Sequence, residues 1–303
     1  MRPKILYILS SGRSGSTLLD LLIATHPKAW TLGEFQELPW EAGDESALCG
    51  CGQTFASCPF WSEVEARVAG KLSSPINFFR EGRGAGKVLR PRLLAELVPG
   101  RSRTVDPEVD DYARSNEAYF EAAIEVGKQL EGAEIEWLVD ASKDPYRLYW
   151  LAQSGRFDIK VVHIAKDPRA FVYSAVRSSG EATVRKVGRQ AVRWTADAII
   201  GSRVGHVSVG EDRYLPLRYE DLVGDPDRSV ARIHSWMGLD PITNVEDAFL
   251  NGHNHGVAGN KLRWTAAPIR ADAAWREGLP KRLQRLAWGM GRPMTKRWGY
   301  ARD

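Results

Sequence analysis

The stretch ILYILSSGRSGSTLLDLLIATHP, residues 5–27, restricts the fold of this chain more than any other part of it. From Lys4 to Leu9 the sequence reads as a buried strand, and continuous apolar strands belong to parallel sheets covered on both faces. The run stops at Ser10, Ser11 and Gly12, and apolar residues return at helical spacing from about Ser16 to Thr25, before Pro27. In a strand, small-residue turn and helix N-terminus of this kind, backbone N–H groups converge on one point and the helix dipole favours negative charge there. Phosphate is the natural guest; the alternative is a Ser/Gly turn that only caps the helix. The turn is not a Walker A loop. That pattern puts Gly where Ser10 stands and Lys where Ser16 stands, and the one cation here is Arg13.

The same alternation recurs further on. Glu136 to Val139 is a short apolar strand ending at Asp140 and handing over through ASKDP to a helix-like PYRLYWLAQS. Ile159 to Ala165 is followed by KDPRAFVYSAVRSS, with an Asp-Pro pair opening each helix. Helical spacing continues from about Glu181 to Ser202, YLPLRY reads as a strand, and EDLVGDPDRSVARIHSWMGL as one more helix. This predicts an α/β fold, a P-loop-like central parallel sheet with helices on both faces. We take residues 1–303 as a single domain carrying an irregular and helical insertion at about 36–132. That insertion holds aromatics, the Gly/Arg-rich FFREGRGAGKVLRPR, and a long helix capped at Asp106-Pro107 and ending near Gly132.

Lys+Arg 42 against Asp+Glu 38 leaves a net charge of +4, which suits an anion handler and not a nucleic-acid-coating surface. No stretch reaches the ~18 apolar residues of a membrane span, and the first apolar run is too short for a signal peptide, so a cytoplasmic protein with no membrane partner is expected. Cys49, Cys51 and Cys58 lie too close together for a secreted disulfide framework.

Several of these segments, in order, resemble the sulfotransferases that use 3'-phosphoadenosine 5'-phosphosulfate (PAPS). GRSGSTLL is similar to the family's 5'-phosphosulfate loop, which implies that Arg13, Ser14, Gly15, Ser16 and Thr17 hold the phosphosulfate. AKDPRAFVYS is similar to the 3'-phosphate motif, with Lys166 where the family has Arg and Ser174 eight residues later. Lys keeps the charge but lacks the planar fork, so Arg169 is a candidate to share the role. LRYEDL, Leu217 to Leu222, resembles the strand-to-helix segment that follows in many members. VDASKDP resembles the tyrosylprotein sulfotransferases, where the Lys, here Lys143, stabilises the transferring group; GEF at Gly33 to Phe35 resembles their base-bearing segment and points to Glu34. Lys261 and Arg263, in HNHGVAGNKLRW, stand about where the family folds a basic loop over the 3'-phosphate.

The chemistry asks for these residue types. A hydroxyl attacking sulfur must lose a proton, so a carboxylate or a histidine within hydrogen-bond reach is needed, and Glu34 is the best placed candidate by sequence. The sulfuryl group carries less charge than a phosphoryl group, so Arg13 and Lys143 serve without the Mg²⁺ of kinases. The resemblance implies PAPS as cosubstrate, no required metal, and a hydroxyl-bearing acceptor: a sugar, a tyrosine or a small natural product. Trp40, Phe60 and Trp61 could stack on a ring or simply pack. Other readings of the same residues are a P-loop kinase or NTPase with Asp140 as a Walker B carboxylate, and a non-catalytic anion-binding module. For Glu34 the alternative is a loop carboxylate paired with a nearby Arg.

Arg185, Arg189 and Arg193 share one helix face, as a solvated or ion-paired stripe does. The three thiols would ligate zinc only with a fourth ligand from elsewhere. C-x-C-x₆-C lacks paired C-x-x-C knuckles, and His253 with His255 is a weak pair, so a local staple, reduced or disulfide-linked, is expected and no metal.

Overall fold

The computed structural model describes residues 2–69, 71, 107–177, 180–265 and 267–301. Five strands, β1 (Lys4–Ser10), β2 (Ala29–Gly33), β3 (Trp137–Lys143), β4 (Asp158–Ala165) and β5 (Tyr214–Arg218), form one sheet in the order β2-β3-β1-β4-β5. Every pairing is parallel, with Tyr7 opposite both Asp140 and Val161. The helices are α1 (Ser16–Ile23), α2 (Leu38–Gly43), α3 (Pro59–Ala69), α4 (Pro107–Glu131), α5 (Pro145–Gln153), α6 (Pro168–Val176), α7 (Val184–Val209), α8 (Tyr219–Gly224), α9 (Pro226–Met237), α10 (Val245–Asn251), α11 (Trp275–Gly278) and α12 (Lys281–Arg297).

Alternation along β1 divides the core. Ile5, Tyr7 and Leu9 pack on one face with Tyr112, Phe120 and Leu148 of α4 and α5, whereas Leu6 and Ile8 pack on the other with Leu19 and Leu22 of α1 and Ile233 of α9. Both faces are therefore covered, which is why the strands read as unbroken apolar runs. From β1 the connections leave to opposite sides, to β2 and β3 one way and β4 and β5 the other. The carboxyl ends of β1, β3 and β4 thus open onto one crevice, the place where open α/β sheets take ligands.

Asp144 and Asp167 cap α5 and α6 through the N–H groups of Tyr146 and Arg169, as the Asp-Pro pairs led us to expect. Strand β2 was not anticipated, because its five residues carry no clean alternation. The segment 220–239, expected as one helix, is two: Asp225 leaves the helical region at φ −151° and ψ 83°, caps α9 through the Arg228 N–H, and precedes Pro226, which disfavours helix at the residue before it. The FFREGRGAGKVLRPR segment and the Asp106 cap lie outside the described residues. Among the described residues no helix is long and apolar enough to cross a membrane.

Candidate active site

The turn between β1 and α1 places two residues in the left-handed backbone region, Arg13 at φ 71° and Gly15 at φ 88°. Gly15 is required twice over. Its φ suits glycine, and a Cβ there would collide with the ring of Tyr219 at the start of α8. Ser14 is fully buried, and neither its hydroxyl nor that of Ser10 has a protein partner. Ser16 and Thr17 are buried at the first turn of α1. Orphaned buried hydroxyls at a helix N-terminus are what an anion would satisfy.

Arg13 reaches across the crevice, its Nη1 donating to the Ser174 carbonyl of α6 at 3.1 Å. This joins the two segments that the sequence offered as nucleotide contacts. Lys166, at the end of β4, is buried and lies 4.4 Å from the centre of the Tyr219 ring, which also covers Gly15. Its ammonium is ion-paired with Asp272 at 2.7 Å. Arg169, the candidate to share the role of Lys166, is engaged on the other side of α6. Its guanidinium is held by Asp167 through Nε and Nη2 and sandwiched between Trp275 and Trp288, 4.3 and 4.7 Å from their ring centres, so it fastens the C-terminal helices. Lys261 is exposed, whereas Arg263 turns inward, donating to the Gly256 carbonyl at 2.8 Å and resting on Trp264; its loop approaches the turn through Gly259, beside Thr17.

At the carboxyl end of β3, Lys143 adopts φ 68°, again left-handed, and its ammonium is in contact with the Glu34 carboxylate. Glu34 follows β2 directly and is set from both sides. Its N–H donates to the Val257 carbonyl at 2.7 Å, while Gln36 bonds Ser142 through its backbone N–H and its side-chain amide. Glu34 and Lys143 line a cleft of about 120 Å³ with Ser10, Gly12, Arg193 and Asp197. The partner of Glu34 is a lysine and not the arginine that its alternative reading supposed.

Asp197 was missed in the sequence. It lies one turn after Arg193 on α7, pairs with it at 3.6 Å, and also meets Ser11; burial pushes its carboxyl up to about 6. The signal was there, because the stripe of Arg185, Arg189 and Arg193 continues by four residues to Asp197. Of the stripe only Arg193 lines the cleft. Asp140 cannot serve as a Walker B carboxylate. It is wholly buried, one oxygen accepting from Ser142 and the other from Arg147 Nε and Nη2 at 3.0 and 2.7 Å. Trp61 and Phe60 are buried packing residues under the cysteine segment.

A model described as the sulfotransferase family matches residues 79–244. Carbohydrate sulfotransferase 2 of Mus musculus is 23% identical over 340 residues, covering 92% of this chain and 61% of that protein, and the Homo sapiens protein of the same name gives the same figures. The chain thus spans about 61% of the length of these curated relatives. Among solved structures, the sulfotransferase domain of the Synechococcus PCC 7002 olefin synthase aligns with TM-score 0.50 at 22% identity, over 100% of this chain and 97% of that one. A sulfotransferase from Mycobacterium avium aligns with TM-score 0.51 at 11% identity, over 99% and 78%. At such identities these structures attest the fold. Since the matched stretch takes in more than half of its residues, the chain belongs to the sulfotransferase family.

Proposed function

We propose that the protein transfers the sulfuryl group of PAPS to an acceptor hydroxyl, with Glu34 as general base. The observation that carries this reading is the contact of Glu34 with Lys143 in one cleft with the β1–α1 turn. The acceptor oxygen forms a bond to sulfur as the bond from sulfur to the 5'-phosphate oxygen breaks, and the hydroxyl proton passes to the Glu34 carboxylate. Lys143 turns from Glu34 to the sulfuryl and bridging oxygens, which frees the carboxylate to take the proton. Arg13, the unpartnered Ser14 hydroxyl and the N-terminus of α1 hold the charge left on the 5'-phosphate. Lys166 and Ser174 take the 3'-phosphate, with Lys166 leaving Asp272, and Lys261 approaches it from the loop. The chain's own cations supply the charge stabilisation, without a catalytic metal.

The carbohydrate sulfotransferases to which the chain is similar make a sugar hydroxyl the acceptor class we favour. Its selection is assigned to the insertion at 36–132, and residues 1–303 act as one domain. Cys49, Cys51 and Cys58, none of them in a disulfide, fit the reducing cytoplasm.

Calorimetric titration with adenosine 3',5'-bisphosphate tests this. Binding is expected without Mg²⁺, weakened about 10–100-fold by Arg13→Ala through loss of a charge-assisted hydrogen bond of ~1.5–3 kcal/mol. No binding of that nucleotide, together with Mg²⁺-dependent ATP turnover, would overturn it.

A further inference from the structure

The fold brings a fourth ligand to the three cysteines. His255 lies 197 residues downstream of Cys58, yet its Nδ1 is 3.2 Å from Cys58 Sγ and 3.6 Å from Cys49 Sγ. Cys58 Sγ is 3.7 Å from Cys49 Sγ and 3.8 Å from Cys51 Sγ, and all four ligand atoms lie within 4.8 Å of one another. From these distances and their surroundings we propose that Cys49, Cys51, Cys58 and His255 form a structural Cys₃His zinc site.

A tetrahedron with Zn–S of about 2.3 Å and Zn–N of about 2.0–2.1 Å has edges of about 3.8 Å between sulfurs and about 3.6 Å between sulfur and nitrogen. Three of the four distances above fall on those edges, and the fourth is shorter by a few tenths of an ångström. None approaches the ~2.05 Å of a disulfide, and three thiols cannot all pair among themselves.

The surroundings are those of a metal site. With Nδ1 facing the thiols, the His255 ring proton belongs on Nε2, and the Glu131 carboxylate accepts from Nε2 at 2.7 Å. A carboxylate behind a ligating histidine fixes its tautomer and ring orientation. The ring is locked further by stacking on Phe60, 4.8 Å between centres at 13°. Each sulfur also accepts a backbone N–H: Cys49 from Cys51, Cys51 from Gln53, and Cys58 from Trp61. Gly50 is needed where the chain turns between the first two cysteines, since a Cβ there would collide with Asn254. Cys49, Cys58 and His255 are buried and Cys51 is half-buried, which leaves a route for an ion to enter. Four protein ligands fill the coordination sphere, so the ion is structural and takes no part in transfer.

Its place in the fold gives the ion a task. The site ties the segment 49–58 to residue 255, and two residues on Val257 pairs with the end of β2, accepting from the Glu34 N–H and donating to the Leu32 carbonyl at 2.9 Å. The metal therefore stands behind the loop pair that holds Glu34.

Elemental analysis of the full chain, purified without chelator, should give about one zinc per chain, and Co²⁺ in its place should show the visible bands of tetrahedral thiolate coordination. Cys51→Ser and His255→Ala should lose the ion on dialysis against a mild chelator, His255→Cys should keep it, and Glu131→Gln should weaken it about 10–100-fold. Chelation of the folded wild type should speed hydrogen exchange in 29–38 and 253–260. A metal-free wild-type chain, an intact mass short by the hydrogens of a disulfide, or undiminished zinc in Cys51→Ser and His255→Ala would each overturn the site. None of these readouts depends on nucleotide binding or on turnover.

Discussion

Two carboxylates face the same cleft, and one substitution at each tests the proposal that Glu34 takes the proton. Glu34→Gln keeps the shape of the side chain and leaves Lys143 an acceptor, but an amide cannot accept a proton from the attacking hydroxyl. A positioned general base contributes about 10²–10⁴ in rate, so at ~1.4 kcal/mol per decade the barrier rises by about 3–5 kcal/mol. The pair itself is largely enclosed, with side chains 13% and 20% exposed, yet it is a single contact at the cleft edge. Its loss should cost about 1 kcal/mol or less, a shift in Tm of about 2–4 °C at most. Affinity for adenosine 3',5'-bisphosphate should hold or tighten, because a negative charge leaves a cleft that binds an anion. The assay is release of that nucleotide from PAPS with a panel of sugar hydroxyl acceptors, alongside calorimetric binding. Asp197→Asn is the control: Asp197 is committed to Arg193 and Ser11, and its loss should lower kcat less than tenfold. If Asp197→Asn shows the large fall and Glu34→Gln stays within tenfold of wild type, the assignment of the base is wrong.

Asp272 competes for the ammonium that the 3'-phosphate is proposed to use. Asp272→Asn should tighten adenosine 3',5'-bisphosphate about 3–10-fold, the worth of one partly exposed ion pair, and Lys166→Ala should weaken it; calorimetry showing weaker binding in Asp272→Asn would remove Lys166 from the site. A third expectation concerns pH. Burial pushes the Asp20 carboxyl on α1 up to about 8; one oxygen accepts from Thr31 at 2.7 Å and the other has no partner. The folded state thus holds the proton more tightly than the unfolded chain, so this contribution is complete below about pH 4 and fades as pH rises towards 8. Thermal melts of Asp20→Asn should therefore lose less stability than wild type between pH 5 and 8, and parallel curves would refute the burial argument.

What could be read from the sequence was local. The turn from Ser10 to Thr17 announces itself because strand, small residues and helix are contiguous, and the Asp-Pro caps of α5 and α6 need only their own neighbours. Lys143 and Lys166 stand at the carboxyl end of β3 and just after β4, where an α/β sheet exposes its chemistry, whereas Ser174 lies well inside α6 and was singled out, like them, only through the family resemblance. The partners of these residues were not legible. Asp272 meets Lys166 across 106 residues and Glu34 meets Lys143 across 109, and no periodicity records such contacts. Strand β2 was hidden because it is only five residues long, and buried on both sides it shows no alternation. Asp140 illustrates the opposite failure, a residue whose local pattern suggested a metal while a distant-looking arginine, Arg147, one helix turn into α5, claimed its carboxylate.

Arg13 and Lys143 both hold a backbone shape that an ordinary side chain adopts at a cost of roughly 1–2 kcal/mol, so the fold bears a conformational debt at the two points where the proposed mechanism wants positive charge. A library sorted by heat resistance alone would drift toward glycine or asparagine at both positions and, on the proposed mechanism, return sturdier, inert proteins. On that proposal, thermostabilisation of this chain has to be screened with adenosine 3',5'-bisphosphate bound.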